Sequence, residues 1–214
     1  MRKIVLFFMA SIILLSGIAY TEVPDKKPVV DKKGEAKQMV IKGNQSFSAQ
    51  RYDEAITFYK QAIALDPDSI DATYDLGVAY GKKDMLEESI AAYDRVIAIS
   101  PRHAQAHNNL GSAYEKKGMA DKAHAEYEKA ASADPNLAPA QYNLGKSFLA
   151  RGSHDQAADC LYKAGMLFHK SKNKEWAKKS YDLLKQTNSR EREKELYNLI
   201  NADAKGQTKE KIIK

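Results

Sequence analysis

The sequence predicts an all-α protein, a superhelix of stacked helical hairpins with capping helices at its C-terminal end. Two observations predict this. Gly43, Gly77, Gly111 and Gly145 stand 34 residues apart, and the same step relates Tyr59, Tyr93 and Tyr127, then Ala55, Ser89, Ala123 and Ala157, then Pro67, Pro101 and Pro135. Within each period, two apolar stretches at helical spacing, such as Leu86, Ile90, Tyr93 and Ile97, are joined by a short turn such as Lys116-Lys117-Gly118. One such hairpin cannot bury its apolar face alone, so neighbours must stack into one continuous core.

The elements follow in chain order. Arg2 and Lys3 precede an uncharged apolar run from Ile4 to Ala19 that ends in small residues, the pattern of a secretory leader over 1–19. That pattern predicts an exported protein, periplasmic or secreted. The alternative is an uncleaved anchor in the inner membrane, since the run is near the lower limit for a span, about 17 residues. Residues 20–35, with Pro24, Pro28 and Gly34 and no periodicity, read as a flexible linker. Four repeats occupy 36–69, 70–103, 104–137 and 138–171. The first departs from the pattern, with Lys42 before its glycine and Ser46 where the others carry an aromatic, as a water-facing end does.

Beyond the third proline, Ala164, Gly165, Phe168, Ala177 and Tyr181 are spaced like a further, overlapping repeat. Capping helices are therefore expected over 172–203. The first carries Trp176, Tyr181 and Leu184, and the second starts at an Asn188/Glu191 capping box and presents Leu196, Tyr197 and Ile200. Residues 204–214 have little to bury and read as a mobile tail.

Residues His107 to Pro135, "HNNLGSAYEKKGMADKAHAEYEKAASADP", resemble the tetratricopeptide-repeat (TPR) family, whose signature is Leu-Gly, an aromatic three residues on, a later Ala, an aromatic and a closing Pro. With the leader, the chain looks like an exported bacterial member. The resemblance implies a right-handed α-solenoid whose first helices line a concave groove, and a protein or peptide partner. Asn109 and Asn143, each preceding Leu-Gly, are similar to the asparagine ladder of O-linked N-acetylglucosaminyltransferases, which grips a peptide main chain; the alternative is that these amides cap or solvate their helices. Asp75 and Ile41 fill the other two rungs. The carboxylate clamp of chaperone-binding members is not matched, because Val40 and Asp75 stand at its Lys and second-repeat Asn positions and only Asn44 agrees.

Catalytic signatures are missing: no Gly-rich phosphate loop, no Gly-x-Ser-x-Gly elbow and no Cys-x-x-Cys pair. His103 and His107 lack the glutamate and third ligand of a zinc hydrolase, and the TPR resemblance implies a packing residue at position 107. Cys160 is the single cysteine and lies on an apolar helical face, so no disulfide is possible and a small packing residue is expected. No enzyme activity, cofactor or metal is therefore expected. Lys and Arg number 34 against 28 for Asp and Glu, yet the signs alternate along the helices, which argues against a nucleic-acid arm.

The expected function is a non-catalytic scaffold holding an extended partner segment, in an envelope or secretion complex. The groove candidates are Asn44, Tyr74, Asp75, Asn108, Asn109, Ser112, Tyr142, Asn143 and Lys146. Amides pair with a backbone while tyrosine rings cover apolar side chains at low entropic cost. The alternative function is self-association through the end helices, with Trp176, Tyr181, Leu196 and Tyr197 as the contact.

Overall fold

A computed structural model describes residues 31–212, with side chains to Asn201. The expected leader at 1–19 and most of the linker lie outside the described residues. Among the described residues there are ten α-helices: α1 Lys32–Ser48, α2 Tyr52–Leu65, α3 Ile70–Lys82, α4 Leu86–Ile99, α5 Ala104–Lys116, α6 Ala120–Ala133, α7 Ala138–Ala150, α8 His154–Lys170, α9 Lys174–Leu184 and α10 Arg190–Ile212. Among the described residues there is no strand, and no helix is long and apolar enough to cross a membrane. The helices pair as α1/α2, α3/α4, α5/α6 and α7/α8, and each hairpin packs on the next to make an α-solenoid.

Small residues bring the paired helices together. A Cβ on Gly43, Gly77 or Gly111 would lie 2.4, 2.7 or 2.6 Å from the ring of Tyr59, Tyr93 or Tyr127 in the facing helix. Gly145 meets Leu161 in the same way. Ala55, Ser89, Ala123 and Ala157 are all buried, and the Ser89 hydroxyl donates to the Gly77 carbonyl at 2.8 Å. α2, α4 and α6 stop at Leu65, Ile99 and Ala133, two residues before each proline, because the residue preceding a proline is excluded from helical geometry.

The turn inside each hairpin places one residue in the left-handed region: Gln50 (φ 60°), Asp84 (φ 59°), Gly118 (φ 74°) and Gly152 (φ 73°), again 34 apart. Only two of the four are glycine. A second periodic feature runs along the edge, where Lys83 pairs with Asp53, Lys117 with Glu87 at 2.6 Å and Arg151 with Asp121 at 2.6 Å. These bonds join each turn to the second helix of the preceding repeat. Their acidic partners are largely exposed, so solvent screening leaves these pairs a minor part of what holds neighbouring repeats together.

Three sequence expectations are corrected. α1 begins at Lys32, so residues 32–35 are helical rather than linker; Glu35 in the first turn favours the helix dipole. α10 continues to Ile212, through most of the expected tail. The Asn188/Glu191 capping box does not form, because Asn188 adopts φ 60° at the end of the 3-10 turn Lys185–Thr187, and α10 starts two residues later.

The end of the stack also differs in detail. Gly165 faces not Tyr181 but Leu196 of α10, 2.5 Å from the position of a Cβ, while Tyr181 packs against the Tyr197 ring. α9 continues the register of the first helices, since Trp176 stands 34 residues after Tyr142 and touches its ring edge-on at 5.2 Å. α9 thus takes the place of a fifth first helix, and Leu184 and Leu196 close the core beneath it, both fully buried.

Candidate functional site: the face of the first helices

Successive first helices α1, α3, α5 and α7 touch one another, whereas the second helices meet one another only marginally. The first helices therefore form the inner, concave side, as the resemblance implied.

The four central candidates are joined there in one hydrogen-bonded chain. The Asn143 amide donates to Asn108 Oδ1 at 3.0 Å, the Asn108 amide to Asn109 Oδ1 at 3.2 Å, and the Asn109 amide to the Tyr74 hydroxyl at 2.9 Å. The pattern is diagonal: a residue at the Tyr74/Asn108 position of one repeat meets the Asn109/Asn143 position of the next. Asn108 is buried and Asn109 and Asn143 are half-buried. The amides bond chiefly to one another rather than standing as free rungs. Their effect is to fix the spacing of α3, α5 and α7 and to leave the Tyr74 hydroxyl proton as the terminal donor of the chain. The Tyr74 ring lies 5.9 Å from Tyr93 and 5.2 Å from His103, and burial raises its hydroxyl pKa.

The remaining candidates divide between the ends. Ser112 donates to the Asn108 carbonyl at 3.1 Å and accepts from Tyr127 at 3.3 Å. Lys146 pairs with Glu115 at 2.7 Å. Tyr142 turns away from the amide chain into a ring cluster with Trp176 and Phe168, over which the Lys179 ammonium sits 4.3 Å from the Trp176 centroid. At the N-terminal end Asn44 accepts from Tyr59 at 2.6 Å, and Asp75 is half-buried with its carboxyl pushed up to about 6 by burial and by the charge of Asp71.

Two of the hollows along these helices adjoin the candidate residues. One of about 350 Å³ is bordered by Val78, Lys82, Tyr93, Asn109, Ser112 and Lys116. The other, of about 250 Å³, lies between α1 and α3 beside Asp75.

Models of tetratricopeptide repeats match residues 43–84, 85–118 and 104–137. The chain carries tetratricopeptide repeats. Among solved TPR structures, it is similar to one titled "Crystal structure of MamA", at 29% identity over 67% of this chain and 83% of that one, with a TM-score of 0.59. YrrB, titled a TPR protein with an unusual peptide-binding site, aligns at 22% identity over 73% and 88% of the two chains, TM-score 0.53. The first TPR of Spaghetti (RPAP3), bound to the HSP90 peptide SRMEEVD, aligns at 23% identity over 56% and 95%, TM-score 0.54. The last two likenesses show the TPR fold alone. A comparison with curated proteins returns no match.

Two histidines of this TPR array, His103 and His107, are structural. His103 Nδ1 caps α5 by accepting from Ala106 N at 3.1 Å. His107 is buried, with Nδ1 2.6 Å from Glu126 Oε2 and Nε2 2.9 Å from the Pro101 carbonyl. Glu126, on the far helix of the hairpin, is the partner that sequence reading missed; a charged residue at a buried second-helix position is the signal that could have found it. Among the described residues, no three metal-binding side chains converge. Cys160 is half-buried, and burial pushes its thiol up to about 11, which suits packing rather than reaction.

Proposed function

We propose that the protein is a non-catalytic scaffold whose first-helix face holds an extended segment of a partner protein. The observation that carries this reading is the amide chain from Asn143 to Tyr74: it rigidifies the face beside two open hollows, so a ligand need not be met with the cost of ordering it. YrrB and the Spaghetti repeat, described as peptide-binding, support it by likeness of fold. The leader pattern in residues 1–19 supports an exported scaffold in a complex of the cell envelope, free or tethered by that segment.

The test is capture from envelope extract, with the wild-type chain and an Asn109→Ala/Asn143→Ala variant of unchanged helicity as baits. Loss of a specifically bound protein from the variant supports the groove. Capture of the same set by both baits removes the amide chain from the binding surface.

Self-association is the second reading. It is favoured by Trp176 and Tyr197, which stay 37% and 50% exposed at the closed end of the stack. Sedimentation at two concentrations, repeated with Trp176→Ala/Tyr197→Ala, tests it through a concentration-dependent mass that the variant loses.

A further inference from the structure

The position that carries an asparagine in the third and fourth repeats carries Asp75 in the second, and there the amide chain stops. By the register that sets Tyr74 against Asn109 and Asn108 against Asn143, the residue opposite Asp75 is Val40, whose side chain has no polar atom. The Asp75 carboxylate makes no hydrogen bond or ion pair with any described residue; Asp71, of like charge, is the ionisable group that acts on it most strongly. It lines the hollow of about 250 Å³ together with Asn44, Phe47, Ser48, Tyr59 and Val78.

These walls suit a long side chain with an apolar stem and a charged head. Phe47 and Val78 offer apolar surface for methylenes, and among the described residues lining the hollow Asp75 is the one that carries a charge. With its carboxyl near 6, Asp75 is anionic at neutral pH, yet half-buried beside Asp71 it lacks the counter-charge that would offset its desolvation. A neutral donor would satisfy a lone pair and leave the charge. An ammonium or guanidinium satisfies both. The chain as a whole carries +6, so attraction of a cation here is local to this hollow and not a long-range field.

We propose that, with the first-helix face as the binding surface, the hollow between α1 and α3 receives a lysine or arginine side chain of the partner segment, with Asp75 as its counter-ion. The chemistry selected is an extended, basic peptide segment entering at the N-terminal end of the groove.

The test uses N-acetylated, C-amidated extended peptide libraries that differ at one fixed position, which holds Arg, norleucine or Glu. Each is titrated by fluorescence anisotropy against the purified full chain, Asp75→Asn and Ser112→Trp, the last of which fills the neighbouring hollow. The expected result is that the wild type binds the Arg library about tenfold or more tighter than the norleucine library, as a charge-assisted hydrogen bond implies, and that Asp75→Asn brings the ratio close to one. Asp75→Ser repeats the comparison if the amide variant melts below the wild type. Equal binding of all three libraries, blocked by Ser112→Trp, overturns the cation pocket and leaves the groove reading standing. No binding, or binding indifferent to Ser112→Trp, overturns both. A peptide-free mass that rises with concentration and is lost in Asp75→Asn names a second copy as occupant and also overturns the proposal.

Discussion

The buried pair His107 and Glu126 shows how one residue can serve packing and polarity together. Both imidazole nitrogens face oxygen, and Glu126 is held on its other side by Lys129 at 2.7 Å. Removing one member of a buried polar pair leaves the other unsatisfied. Glu126→Ala is therefore expected to lower the unfolding free energy by about 1–3 kcal/mol, measured by urea denaturation. Asp75 has the opposite sign. Its carboxyl is raised from 3.8 to about 6, so the folded state binds the proton more tightly than the unfolded chain and stability falls as pH rises through that window. Asp75→Asn should be more stable than the wild type at pH 7, on the order of 1 kcal/mol once solvent screening of a partly exposed group is allowed for, and the gap should narrow by pH 5. Thermal melts at the two pH values check both the sign and the window. Of the groove candidates, residue types and positions were legible in sequence; that Asn108 would be buried and would bond to Asn109 and Asn143 was not, because a 34-residue period says which positions are equivalent but not which side chains meet diagonally across repeats.

Each hairpin is set by close approach on one side and a forced turn on the other. At Gly111, an added methyl would meet the Tyr127 ring at 2.6 Å and the Ala123 carbonyl at 3.1 Å. Ala123 is itself buried, so Ala123→Leu must wedge α5 from α6 and should cost about 1–3 kcal/mol, read as a shift of the denaturation midpoint without a change of slope. The turn offers a gain. Gln50 adopts φ 60° where the third and fourth repeats use Gly118 and Gly152, so Gln50→Gly should stabilise the protein by about 0.5–1 kcal/mol, the left-handed penalty less the entropy of a more flexible residue. A melting temperature unchanged or lowered by this substitution would show that the turn is not strained. Helix ends followed the same division: the prolines marked three of them in sequence, while the start of α1 at Lys32 and the course of α10 to Ile212 carried no comparable stop signal.

For the molecule as a whole, the end matters more than any one repeat. α9 and α10 cover α8 and the ring of Tyr142, and in doing so bury Leu161, Leu184 and Leu196. Deleting residues 172–214 would bare this surface at once. A stack that loses its cap loses an interface term as well as solubility. The truncated chain is expected to melt at lower temperature and to aggregate at concentrations where the full chain does not, measured by thermal denaturation followed by light scattering.

The class of architecture was readable in the sequence, because glycine, tyrosine and proline at a constant step can be satisfied by one local geometry repeated. Tertiary structure alone decided what happens where the repeat is broken: that Gly165 meets Leu196, that α9 with Trp176 takes the place of a further first helix, and that Asp75 has no hydrogen-bond or ion-pair partner among the described residues beside an open hollow. Periodicity carries information about contacts that recur. Contacts made once, at an end or across an interrupted rung, depend on which side chains three-dimensional packing brings together.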